Sequence, residues 1–180
     1  MKSKLFCSII FLFIISCGSS KSFQSFFNDH KSDLGVTAFQ VPNFMKAILS
    51  NISPKQNMFD NISDFKFITF NNSSTQYQKS LINEMNSVAS NKFTDMYRKN
   101  TLENTKIISV KEFGNVVTEA IVFDSKPEKT TVFYLKGQFD PEKIKTFADD
   151  AVLDEFSSKL QKEYQMNVNP SLNPSFNPNR

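Results

Sequence analysis

Val116-Val117-Thr118-Glu119-Ala120-Ile121-Val122-Phe123-Asp124 is the stretch on which the fold turns. Side chains alternate along a strand, so Val117, Ile121 and Phe123 share one side while Val116, Ala120 and Val122 share the other. Both sides are apolar, and a strand filled on both sides belongs in the middle of a sheet. Thr130–Gly137 repeats the pattern, with Phe133 and Leu135 opposing Val132 and Tyr134. Thr105–Lys111 and Phe93–Lys99 also read as strands, joined through turns at Gly114-Asn115 and at the polar loop Ser125–Lys129.

Upstream the period changes. Phe23, Phe26, Phe27 and His30 fall at i, i+3, i+4 and i+7, one face of a short helix. Such a face either caps the core or rests on a bilayer. Asp33-Leu34-Gly35 turns the chain into a strand at Val36–Val41. Pro42 then stands near the start of a helix carrying Phe44, Met45, Ile48, Leu49 and Ile52, with Pro54 beyond it as a stop. Ile62–Phe70, rich in Phe and Ile, is a further strand. Ser73 and Gln76 have capping-box spacing before a helix that shows Tyr77, Leu81, Ile82, Met85, Val88 and Ala89 on one side. Asp140-Pro141-Glu142 is a helix start, and Ile144, Phe147, Ala148, Ala151, Val152, Phe156 and Leu160 continue as a stripe toward Tyr164.

The order β-α-β-α-β-β-β-β-α implies an α+β fold, a mostly antiparallel sheet of five to six strands with helices packed on one face. Ala120, Val132 and Tyr134 then mark the other face, to be covered by the Phe23–Phe27 segment or by a partner protein. The single domain is expected over residues 34–164. After it, Asn169-Pro170-Ser171-Leu172-Asn173-Pro174 begins a four-residue repeat too poor in apolar groups for a core, so residues 165–180 read as a disordered Asn/Pro-rich tail.

The beginning of the chain sets the location. Lys2 and Lys4 precede the apolar run Leu5–Ile15, about half of the roughly 20 residues a bilayer crossing needs. A basic start, an apolar run and a small residue before the break make residues 1–16 a secretory signal. The ending Ile14-Ile15-Ser16-Cys17 is similar to a bacterial lipobox, which makes Cys17 the lipid attachment site and residues 17–33 a tether with a short Phe-rich helix. An ordinary signal peptide cut a few residues later is the plainer alternative. Gly18-Ser19-Ser20-Lys21-Ser22 lacks the acidic residues that mark surface export in some two-membrane bacteria. The expected place is therefore the outer membrane, facing the periplasm.

Composition bounds the chemistry. The chain has 180 residues, 20 Phe, no Trp, one His and two Cys, of which Cys7 leaves with the signal and Cys17 carries lipid. No thiol remains for a disulfide, a zinc site or a nucleophile. The formal charge of +3 falls to about +1 once Lys2 and Lys4 are gone, too little to argue for nucleic acid or anionic headgroups. His30, with no second His or Cys, reads as a partly exposed helix residue and not a metal ligand. Four scattered glycines build no phosphate cradle. Asp149, Asp150, Asp154 and Glu155 cluster on the last helix, a spacing that suits a solvated face better than a calcium loop or a glycosidase pair. Neither a cofactor nor an enzymatic activity is expected.

Several of these segments together resemble a known family. They are Phe26-Phe27, Leu34-Gly35-Val36-Thr37, the helix with Phe44-Met45, Phe65-Lys66-Phe67-Ile68 and Tyr134-Leu135-Lys136-Gly137-Gln138-Phe139-Asp140-Pro141. With the lipobox they resemble the small bacterial lipoproteins catalogued as domain of unknown function 4252, over roughly residues 20–150. The resemblance implies an envelope lipoprotein without an assigned activity and transfers no catalytic residue. The expectation is a non-enzymatic binding or structural module that engages an envelope protein. A carrier of small apolar ligands or lipids, with a Phe-lined pocket, is the alternative.

Overall fold

The computed structural model describes residues 21–42, 46–90 and 92–168. The signal segment 1–16, Cys17 and its tether, the Phe44-Met45 helix start and the tail from residue 169 lie outside the described residues. The elements run α1 (Phe23–His30), β1 (Val36–Gln40), α2 (Lys46–Ile52), β2 (Ile62–Ser73) and α3 (Thr75–Ala89). Four strands follow, β3 (Thr94–Asn100), β4 (Thr105–Phe113), β5 (Val116–Lys126) and β6 (Glu128–Phe139). The end comprises α4 (Pro141–Lys145), a 3₁₀ turn (Thr146–Ala148) and α5 (Asp150–Val168).

The fold is α+β. Its six strands form one antiparallel sheet in the order β1-β2-β6-β5-β4-β3. β5 lies inside it, as its two apolar sides predicted. One detail of its alternation differs, because a bulge between Val117 and Glu119 shifts the pairing with β6. The extra residue resets the side-chain phase. Val117 therefore joins Ala120 and Val122 on one face, while Ile121 and Phe123 point to the other. The tip of this hairpin is a two-residue loop with Gly114 at φ 63°, the positive first position that such tight loops favour.

Helices cover both faces of the sheet, not one. Under α2, α4 and α5 lie Phe39, Phe59, Phe65, Phe67, Phe133, Phe139, Phe147 and Phe156. Their rings pack against one another, with Phe133 at 5.3 Å from both Phe67 and Phe156 and Phe147 at 5.3 Å from Phe156. On the opposite face, α1 and α3 bury Ile68, Phe70, Ile107, Ile121, Phe123 and Val132 against Phe23, Phe26, Phe27, Leu81, Met85 and Val88. Two-sided cover is what the pattern demands: β2, β5 and β6 are apolar on both sides, and each buried Phe contributes roughly 1.5–3 kcal/mol. Of the two readings of the Phe23–Phe27 face, the core cap is the one found.

Helix ends follow local hydrogen bonding. Ser74 caps α3, its hydroxyl accepting the Tyr77 N–H at 3.3 Å, so the cap falls one residue after the expected Ser73, which closes β2. Asp140 caps α4 as read, accepting the Glu142 N–H at 2.9 Å, with Pro141 in the first turn. The expected single last helix is instead broken at Asp149, whose backbone is extended and whose carboxylate accepts the Ala151 N–H at 2.8 Å to start α5. α5 then runs to Val168, four residues past the expected domain end. Gly137 has a steric role, since a Cβ there would lie 2.3 Å from the Asn61 carbonyl oxygen.

Candidate functional site

The residues expected to mark an open sheet face do not share one. Ala120 pairs with Leu135 in the cluster beneath α5, whereas Val132 and Tyr134 point the other way. Val132 is fully buried, and the Tyr134 ring stacks on Phe23 at 4.8 Å with the planes 12° apart. The face is closed by α1 and α3 because Phe23, Phe26 and Phe27 need a partner surface as much as the sheet does. Of the three residues, only the half-buried Tyr134 still reaches an open edge of that face, where it lines a groove.

His30 holds α1 to α3. Its Nδ1 lies 2.8 Å from the Asp33 carboxylate and its Nε2 3.2 Å from that of Glu84, while its ring packs 4.9 Å from Phe26. Tyr77 donates its hydroxyl to Asp33 at 2.8 Å, and Lys21 pairs with Glu84 at 3.1 Å. Hydrogen bonds from His30 and then Tyr77 hold the Asp33 carboxyl below its usual range. Burial pushes Glu84 up, but the bonds from His30 and Lys21 outweigh it and the net shift is downward. Burial and the Asp33 bond push the Tyr77 phenol far up, so it remains a donor. Both imidazole nitrogens face carboxylates, which leaves neither free to act as base to a serine hydroxyl. The group is a latch.

The acidic cluster of the last helix is likewise structural. Asp150 binds the Lys106 ammonium, and Asp154 binds Lys126 at 2.7 Å. Asp124, buried on β5, lies 3.3 Å from Lys126 and 3.9 Å from Lys106. Asp149 is the cap already described, and Glu155 pairs with Lys159 at 2.6 Å. Each carboxylate faces a lysine or a backbone N–H, not another acid across a cleft. Among the described residues, no group of three or more His, Cys, Asp or Glu is placed to hold a metal.

A site of which the sequence suggested only Tyr134 lies between the start of α1, the end of α3 and the sheet. There a groove of about 420 Å³ is lined by Lys21, Lys66, Lys92, Lys111 and Lys136, against only Asp64 and Glu119. Lys66 is buried, pairs with Asp64 and stands 5.3 Å above the Tyr134 ring. Lys111 lies 3.0 Å from Glu119 and 4.3 Å from the Phe93 ring centre. Tyr134 donates to Glu119 at 2.9 Å, and burial together with that bond pushes its phenol well up. Lys92 and Lys136 are exposed, and among the described residues no carboxylate pairs with them. The floor is thus fixed by paired charges while the rim carries unbalanced positive charge.

The lysines come from β2, β4, β6 and both flanking helical ends, and only the strand order β2-β6-β5-β4 assembles them. One trace was readable: Lys66 interrupts the apolar run Phe65-Lys66-Phe67-Ile68. Chemically, the groove can hold a phosphate or carboxylate by charge-assisted hydrogen bonds. Among the described residues, no helix is long and apolar enough to cross a membrane.

No curated protein and no solved structure matches the chain. A family model matches residues 30–147, which hold the whole sheet with α2, α3 and α4 but leave nearly all of α1 and all of α5 outside. The chain belongs to the family described as Domain of unknown function (DUF4252).

Proposed function

We propose that the protein is an envelope lipoprotein, held on a membrane by a diacylated Cys17, whose folded body is a non-enzymatic binding module facing the periplasm. Its binding surface is the lysine-lined groove, and the group it takes is anionic. One observation carries this reading: among the described residues Lys92 and Lys136 make no ion pair, the Asp64 and Glu119 beside Lys136 being held by Lys66 and Lys111, and both stand at the rim of a groove that Lys21, four residues after Cys17, also lines. Other ionisable groups, at His30 and beneath α5, are spent in latches between elements. The carrier alternative has no comparable support, since the Phe rings that would line its pocket pack against each other.

Metabolic labelling with a fatty-acid probe tests the anchor. Native protein should take up label and Cys17→Ala should not; unlabelled native protein overturns the location. Amine-reactive crosslinking in cells tests the groove. Lys92 and Lys136 should be blocked in a saturable way by the anionic group they hold, and unchanged reactivity in every envelope fraction would remove the groove from the account.

A further inference from the structure

We infer that the anionic group in the groove is the phospholipid surface itself, and that the β4–β5 hairpin tip enters that surface beside it. This rests on reading the groove as an anion site at the anchored end of the chain. Lys111 lines the groove from β4, and Phe113 follows two residues later, roughly 7 Å further along the strand. Among the described residues Phe113 is the one exposed Phe, 84% accessible, and Val116 across the turn is also exposed. Among the described residues, neither core cluster includes that ring.

The link to the anchor is short. Lys21 is four residue steps from Cys17, so a fully extended chain puts this edge of the groove at most about 14 Å from the lipidated residue. The headgroup layer is several ångströms deep, and charges act over roughly 8 Å at physiological ionic strength. A body tethered so closely must present some surface to the headgroups, and the groove end is the one the tether reaches. Counting Glu84, which holds Lys21, and Glu112 beside the tip, that end sets five lysines against four carboxylates. An aromatic tip two residues beyond a groove lysine matches an interface that is apolar below and anionic above.

The chain has no Trp, so Phe113→Trp creates a single reporter. Leu102→Trp, also exposed, on the β3–β4 loop at the opposite end of the sheet, is its control. The full chain is bound to vesicles of phosphatidylglycerol and phosphatidylcholine, some with brominated acyl chains. Phe113→Trp emission should move to the blue and be quenched several-fold more than that of Leu102→Trp. Vesicles of phosphatidylcholine alone should give a much weaker effect. Each lysine near such a surface is worth about fivefold in binding, so Lys92→Glu with Lys136→Glu should lower the docked-to-undocked ratio about 25-fold or more. Flotation reads the anchor separately. Chain that floats while both reporters stay equally wet overturns docking and spares the lipid. Inorganic phosphate that protects Lys92 and Lys136, with Phe113→Trp wet on anionic vesicles, spares the groove and overturns the membrane as its occupant.

Discussion

Two sets of lysines sit at opposite ends of one sheet and do opposite things. Beneath α5, Lys106 and Lys126 meet Asp124, Asp150 and Asp154, so charge is balanced and Lys106 is only 1% accessible. In the groove, three of five lysines are held by Asp64, Glu119 and Glu84, and among the described residues Lys92 and Lys136 at the rim make no ion pair. Residue type is the same in both. What separates a clamp from a binding surface is whether the fold supplies the counter-charge or leaves it to a ligand.

Breaking the clamp should have the largest effect. Lys106→Met keeps most of the side-chain volume but leaves Asp124 buried with one cation fewer, and one of its oxygens already lacks a hydrogen-bond partner. Urea unfolding should show a loss of about 3–5 kcal/mol, the usual cost of stripping one partner from a buried ion pair. A loss below about 1 kcal/mol would make the clamp a surface ornament.

Acid comes next. Asp33, Glu84 and Asp150 have folded pKa values below their ordinary 3.8, 4.5 and 3.8. Their stabilisation is fully present above those ordinary values and is lost as pH falls through the lower folded ones. Burial raises the Asp124 carboxyl despite Lys106 and Lys126, so its term has the opposite sign: it weakens the fold as pH rises through the same region. Urea midpoints from neutral pH downward should therefore fall below about pH 4. Tyr77→Phe, which removes one bond to Asp33, should make that fall shallower; a profile no different from that of the parent would contradict the latch.

Smaller effects sharpen the contrast. Asp154 is 59% accessible, so Asp154→Asn should cost about 0–1 kcal/mol and lose even that in high salt. Smallest of all, Lys92→Glu and Lys136→Glu should each change stability by no more than about 0.5 kcal/mol. Thermal unfolding that drops sharply in either variant would make the groove lysines structural after all.

Much of the fold was legible because it depends on local pattern. The two apolar sides of Val116–Asp124 placed β5 inside the sheet, and Asp140-Pro141 marked a helix start by capping chemistry alone. Gly35, at φ 78°, sits in the turn read from Asp33-Leu34-Gly35. Misreadings arose where one residue changes phase. The bulge after Val117 moved that residue onto the face of Ala120 and Val122, the β5–β6 register that pairs Ala120 with Leu135 set Ala120 opposite Val132 and Tyr134, and the extended backbone of Asp149 split an apolar stripe that reads as unbroken. Covering both faces followed from the two-sided strands, yet the element order alone suggested one. The groove was hardest to see, because net charge averages over the chain. A value near +1 conceals five lysines from five distant segments that meet only when β2, β6, β5 and β4 are laid side by side.

Protection of lysines in membranes that carry the native, anchored protein is the most direct test. A membrane-impermeant amine reagent should spare Lys92 and Lys136 and modify Lys79, which is exposed beside Leu102 at the far end. Detergent should then make all three react alike. Equal modification of the three before detergent would mean that the groove faces water, and the account would fail.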